Sequence, residues 1–229
     1  FDVDLVKELG KLVAAEMTEF GVAWWLAPGL NIHRNPLCGR NFEYYSEDPL
    51  LSGTMAAAIT LGVQSVPGVG TTIKHFACNN QEDNRMGSNS IVSERALREI
   101  YLRGFEIAIK TAQPMCIMTS YNLINGIHTA NSYDLCTTVA RNEWGFEGII
   151  MTDWTTTTAG GSKPFVCAIA GNDLIMPANR IDIDNIMAAL KDGSLPRSIA
   201  RTCAARLIKV IFQTIGMEDV KGYKEQFGF

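Results

Sequence analysis

Apolar positions along this chain fall into two patterns, stretches at helical spacing and short unbroken runs, and the two alternate. Residues 3–20 place Leu5, Leu9, Leu12, Val13 and Phe20 near helical spacing with charges between them, which predicts a helix buried on its leucine face and closed by Gly21. Residues 22–27 read as a buried strand ended by Pro28 and Gly29, and a polar loop dense in Arg and Asn covers 29–46. Ser46 is expected to cap the next helix, with Glu47 and Asp48 in its first turn, and that helix runs to about Val63. A strand over 70–75, a polar loop over 77–91 and a helix opened by Ser93 and Glu94 follow, the helix carrying the stripe Leu97, Ile100, Tyr101, Phe105 and Ala108. The remainder reads as a strand over 116–121, a helix over about 133–143 and strands over 148–153 and 172–176. Two closing helices complete it, one marked by Ile183, Ile186, Met187 and Leu190 and stopped at Asp192-Gly193, the other from about Ser198 to Ile215.

Short apolar strands joined by amphipathic helices predict an α/β fold of parallel strands covered by helices. No Gly-x-Gly-x-x-Gly turn links a strand to a helix and no Walker loop is present, so nucleotide folds lose ground. The architecture left is a (β/α)8-type barrel, whose chemistry collects at the C-terminal ends of its strands. Only about five strands can be read, whereas closure takes eight, so the barrel is expected to be partial or completed by another segment.

Composition narrows the function classes. Of 229 residues, 47% are hydrophobic and 19% charged, which excludes a disordered chain. The net charge of −4 offers no basic surplus for phosphates, so nucleic acid is not an expected partner. No apolar run reaches membrane-spanning length and no signal peptide is visible, so no membrane partner is expected. The six cysteines form no Cys-x-x-Cys pair and only three histidines accompany them, so no metal is expected; buried free thiols suit a reducing, cytoplasmic setting. The first residue is Phe rather than Met, which suggests a processed chain or a piece of a longer one.

The predicted strand ends deliver Arg34, Arg40 and Glu43 after the first, Lys74 and His75 at the second, Tyr121 at the third, and Asp153 and Trp154 at the fourth. One carboxylate among cations stays ionised and can attack an anomeric carbon, while the donors grip hydroxyls and the indole accepts a sugar face. Read without further context, Lys74-His75 also suits a Schiff-base lysine, and Arg34 and Arg40 also suit a structural ion-pair network with Glu43, Glu47 or Asp48. Trp24 and Trp25 read as core.

The run Asn31-Ile-His-Arg-Asn-Pro-Leu-Cys-Gly-Arg40-Asn-Phe-Glu43-Tyr-Tyr-Ser-Glu-Asp-Pro49 resembles the signature of glycoside hydrolase family 3 β-glucosidases. So do Ile73-Lys74-His75-Phe76, Met118-Thr-Ser-Tyr121-Asn122 and Gly148-Ile-Ile-Met-Thr-Asp153-Trp154, in the family's order. The resemblance implies that Asp153 is the nucleophile of a retaining mechanism and forms a covalent glycosyl-enzyme. It implies that Arg40, Lys74 and His75 bind sugar hydroxyls, that Tyr121 supports the nucleophile, and that Met118 and Trp154 line the pocket. It implies no cofactor.

The resemblance further implies that residues 1–216 form the larger, C-terminal portion of the family's barrel domain, with 217–229 a tail or linker. An upstream barrel segment with a sugar-holding Asp, and an α/β sandwich domain carrying the acid/base Glu, are then expected from elsewhere, or their place is taken by self-association. A bacterial N-acetylglucosaminidase branch of the family carries a His in the loop after Lys-His-Phe, and residues 77–86 offer none. The expected substrate is a terminal β-D-glucosyl residue or a related oligosaccharide. A β-xylosidase-like specificity, or a catalytically incomplete sugar-binding fragment needing a partner segment, stands as the alternative.

Overall fold

A computed structural model describes residues 1–158 and 160–215; the tail expected over 217–229 lies outside the described residues. The chain opens with helix α1 (Val3–Glu19), strand β1 (Trp24–Trp25), helix α2 (Pro49–Val63) and strand β2 (Gly70–Phe76). Strand β3 (Asn89–Ser90), helices α3 (Glu94–Ala96) and α4 (Arg103–Ala112), and strands β4 (Cys116–Thr119), β5 (Leu123–Ile124), β6 (Ile127–His128) and β7 (Ile149–Met151) follow. Helices α5 (Pro164–Ala170), α6 (Arg180–Asp192) and α7 (Arg197–Ile211) close the described part.

The main sheet is parallel in the order β1-β2-β4-β7. Leu174 continues it through a single parallel bridge to Met151. This is the helix-covered parallel α/β arrangement expected, and it is consistent with a partial (β/α) barrel. The strand expected over 172–176 contributes only that bridge, and the one expected over 22–27 is regular only at Trp24 and Trp25. Past β1 the pairing continues without regular strand geometry: Lys74 N–H donates to the Pro28 carbonyl at 3.0 Å and Leu30 N–H to the Lys74 carbonyl at 2.8 Å. A second small sheet, β3-β5-β6, is not expected from the sequence: β3 lies in the segment read as polar loop, and β5 and β6 lie between the strand over 116–121 and the helix over 133–143, where the pattern predicts no element.

Helix α2 has no polar face; it is buried along most of its length. It is crossed by α1, and the crossing corrects the reading of α1. Leu5, Leu9, Leu12 and Phe20 are exposed, while Gly10, Ala14 and Met17 face inward. A methyl group on Gly10 would fall 2.6 Å from the Ile59 carbonyl oxygen, and one on Gly62 would fall 2.1 Å from that of Lys7. The two backbones are in contact there, and only small residues allow it. On α6, Ile183 and Met187 are likewise exposed, whereas Ile186 and Leu190 pack towards Ala168, Ala189 and Leu195.

Other local differences have plain causes. The cap of α2 is Asp48, whose carboxylate accepts from Leu50 N–H, with Pro49 as the first helical residue; Ser46 instead accepts from Asp48 N–H. A π-helical turn over Leu97–Tyr101 separates α3 from α4, and Leu102 N–H donates to the Leu97 carbonyl. Five residues at about 100° each would put Leu97 and Leu102 on different faces of an α-helix. The wider turn buries both and leaves Ile100 outside. The helix expected over 133–143 is π-helical over Asp134–Glu143.

The main core lies between the sheet and its covering helices, with Phe76, Phe105 and Trp144 in edge-on contact. All six cysteines are buried and free. Among the described residues no helix is long and apolar enough to cross a membrane.

Candidate active site

The polar groups cluster where β2, β4 and β7 end. Asp153 lies two residues past β7 in a segment held on both sides: Thr152 N–H donates to the Leu174 carbonyl at 3.0 Å and Thr155 N–H to the Met176 carbonyl at 3.1 Å. Asp153 is 6% exposed. Oδ1 accepts from Trp154 N–H at 2.7 Å, while Oδ2 is buried with no hydrogen-bond partner. Burial raises the Asp153 pKa, opposed by the Trp154 N–H and the charges of Arg40 and Arg85.

His75 faces Asp153, with its Nε2 3.7 Å from Oδ2. Burial and the charges of Arg40, Lys74 and Arg85 push its pKa well down, so the imidazole is neutral. Its backbone is clamped by Asn31, which donates to the His75 carbonyl and accepts from the His75 N–H, each at 2.8 Å.

Glu43 joins the two remaining cations. It is bonded to Arg40, and Lys74 Nζ lies 3.1 Å from its second oxygen. All three side chains are at most one-fifth exposed. Burial alone would raise the Glu43 pKa, but the Arg40 hydrogen bond and the Lys74 charge outweigh it and lower it. Glu43 therefore stays ionised and presents two cations side by side.

Tyr121 donates its hydroxyl to the Trp154 carbonyl at 2.7 Å, and Arg85 stacks 4.4 Å above its ring. Burial and the neighbouring Asp153 charge push the Tyr121 phenol up to about 12. Arg85 is itself held by Glu82 at 2.8 Å.

Of the residues singled out in the sequence, Arg40, Lys74, His75, Tyr121, Asp153 and Trp154 thus converge. Met118 is buried in an apolar cluster with Met151, against which Trp24 and Trp154 pack. Arg34 is bonded to the Tyr101 hydroxyl and lines a separate cavity with Cys78 and Asn80. Trp25 packs with α1 residues in the core. Asn31, Tyr44, Asn79 and Arg85 did not stand out, because they lie in aperiodic loops and their partners are distant in the chain. No group of three or more potential metal ligands occurs among the described residues.

Comparison with known proteins bears on this geometry. Residues 1–210 match the model of the glycosyl hydrolase family 3 N terminal domain. The chain is 45% identical to a beta-glucosidase of Ruminococcus albus over 98% of its length and 24% of the relative's. It is also 45% identical to an exo-alpha-(1->6)-L-arabinopyranosidase of Bifidobacterium breve, over 96% of the chain and 28% of the relative. Among solved structures, beta-glucosidase 3B of Thermotoga neapolitana in complex with glucose superposes with a TM-score of 0.90 at 49% identity, covering 95% of this chain and 31% of that one. The chain therefore spans about a quarter to a third of the length of these relatives.

Proposed function

Because the chain belongs to glycosyl hydrolase family 3, we propose that it carries the nucleophile and the sugar-binding half of a retaining β-glucosidase. Asp153 attacks the anomeric carbon, the glycosyl-enzyme forms on its Oδ2, and water then releases the sugar with retained configuration. Arg40, Lys74 and His75 donate to the sugar hydroxyls, and Trp154 offers its face to the ring. The leaving group is protonated by a Glu supplied from outside this chain.

The observation that carries this reading is the asymmetry of the Asp153 carboxylate. One oxygen is fixed by a backbone N–H and the other is buried, unpaired and next to a neutral donor. Most buried carboxylates are bonded at their oxygens. Asp182 is also buried with both oxygens unpaired, but among the described residues it faces no donor cluster. Asp153 stands among Arg40, His75 and Tyr121 with one lone pair free, as a nucleophile needs.

Loss of general-acid help costs about 10²–10⁴-fold, and the loss is greatest for poor leaving groups. The chain should therefore cleave a 2,4-dinitrophenyl β-glucoside, leave a methyl β-glucoside untouched, and in azide give β-glucosyl azide of retained configuration. The azide competes with water only at a glycosyl-enzyme whose acid/base is absent. Inverted product, or turnover unchanged in Asp153→Asn, overturns the proposal. A pentopyranoside arm of the same assay addresses sugar choice, since an arabinopyranosidase is as similar to this chain as a β-glucosidase.

A further inference from the structure

We propose that Tyr44 is a positioning residue that fixes His75 as the Nε2–H tautomer, so that its one ring N–H stands on the Asp153 side of the imidazole, within the proposed sugar site. The inference deepens the reading of Asp153 as nucleophile, and its test lets the two fail separately.

The donors and acceptors around one hydroxyl fix the tautomer. Tyr44 is 6% exposed, and its hydroxyl has two polar neighbours, His75 Nδ1 at 3.2 Å and Asn79 Nδ2 at 3.2 Å. The Asn79 nitrogen also lies 2.9 Å from a Glu82 carboxylate oxygen. A carboxylate oxygen only accepts, so that end of Asn79 is the NH2, and its two hydrogens go to Glu82 and to Tyr44. Tyr44 is thereby an acceptor from Asn79, and its own single hydrogen is left for His75 Nδ1.

The opposite tautomer fails on both sides of the ring. A hydrogen on Nδ1 would leave the Tyr44 hydrogen buried without an acceptor. It would also set the Nε2 lone pair against the unpaired Oδ2 of Asp153, 3.7 Å away. The imidazolium is disfavoured by burial and by Arg40, Lys74 and Arg85. Burial also raises the Tyr44 phenol, which keeps its hydrogen.

The ring of Tyr44 is seated by the backbone beside it. A methyl group on Gly29 would fall 2.8 Å from that ring, so the phenol lies directly over the chain that pairs with β2. With Asn31 holding the His75 backbone and Tyr44 holding Nδ1, the imidazole has one orientation. At 3.7 Å its Nε2–H lies beyond hydrogen-bond length. The N–H therefore neither protonates Oδ2 nor occupies its lone pair, and is left to donate to a sugar hydroxyl beside it.

The test is ring-nitrogen NMR on the 15N-histidine-labelled chain at pH 7. The chain has three histidines, and His33→Gln and His128→Gln variants assign the other two signals. The expected result is a neutral His75 with a protonated Nε2 and a hydrogen-bonded, unprotonated Nδ1. In Tyr44→Phe, Nδ1 should move to the position of an unbonded ring nitrogen. Covalent labelling by an activated 2-fluoroglucoside should slow roughly three- to tenfold, the effect of one neutral hydrogen bond.

A wild-type His75 carrying its hydrogen on Nδ1, or an imidazolium, overturns the inference, as do ring signals unchanged in Tyr44→Phe. If that variant does not fold, the wild-type tautomer decides alone. If no label forms in either protein, the nucleophile reading fails while the ring signals still decide the role of Tyr44.

Discussion

Glu43 shows how a single residue organises this site. It binds Arg40 on one oxygen and has Lys74 3.1 Å from the other, so a partly buried anion brings two cations within reach of one ligand. Glu43→Gln keeps the shape and removes the charge. The half-saturating concentration for labelling by an activated 2-fluoroglucoside should rise about tenfold or more, as expected for a lost charged hydrogen bond, with the limiting rate less affected. An unchanged half-saturation would mean that Arg40 and Lys74 do not depend on it. Arg85 acts at longer range: its charge favours the ionised form of Asp153, so Arg85→Leu should raise the Asp153 pKa further. The acid limb of the labelling rate should then move to higher pH, because more acid is needed to protonate the native carboxylate than in the variant; a fixed or falling limb contradicts this. Lys74, His75, Tyr121 and Asp153 stood out in the sequence because each lies at the end of an apolar run, and Arg40 because of the motif it shares with the family. Tyr44 and Asn79 were not, because their meaning lies in hydrogen bonds to His75 and Glu82 that no periodicity encodes.

Among the elements, α1 and α2 separate what pattern reading captures from what it misses. The helical period of 3–20 and its stop at Gly21 were legible, and α1 occupies Val3–Glu19. Its buried face was not, because an apolar stripe predicts burial only where a partner covers it. The real contact is through glycine and alanine, which carry little hydrophobic signal. Gly62→Ala would place a methyl group against the Lys7 carbonyl oxygen and should destabilise the chain by about 1–3 kcal/mol in urea unfolding, despite the better helix propensity of alanine. Unchanged or higher stability would mean that the helices can separate at no cost. The strands follow the same logic: β2, β4 and β7 are buried on both faces and read clearly, whereas the two-residue strands of the small sheet are too short to leave a pattern.

At the scale of the whole molecule, the chain spans 24% of the length of the Ruminococcus relative. Its described sheet is open, and Leu5, Leu9, Leu12 and Phe20 lie outside its own core. Leu12→Glu, at a position 65% exposed, should therefore change the stability of the chain by no more than about 0.5 kcal/mol in the same assay. A loss of several kcal/mol would place Leu12 in a core that the structure does not have. If the proposed function holds, this chain carries a working nucleophile within its own sugar grip. This is tested most directly by the intact mass of the folded chain after incubation with a 2-deoxy-2-fluoro-glucoside bearing a dinitrophenyl leaving group, which departs without an acid. The expected result is a gain of one fluoroglucosyl unit, mapped to the peptide containing Asp153 and lost in Asp153→Asn. A label on another residue, or no label on a chain shown by circular dichroism to be folded, would contradict it.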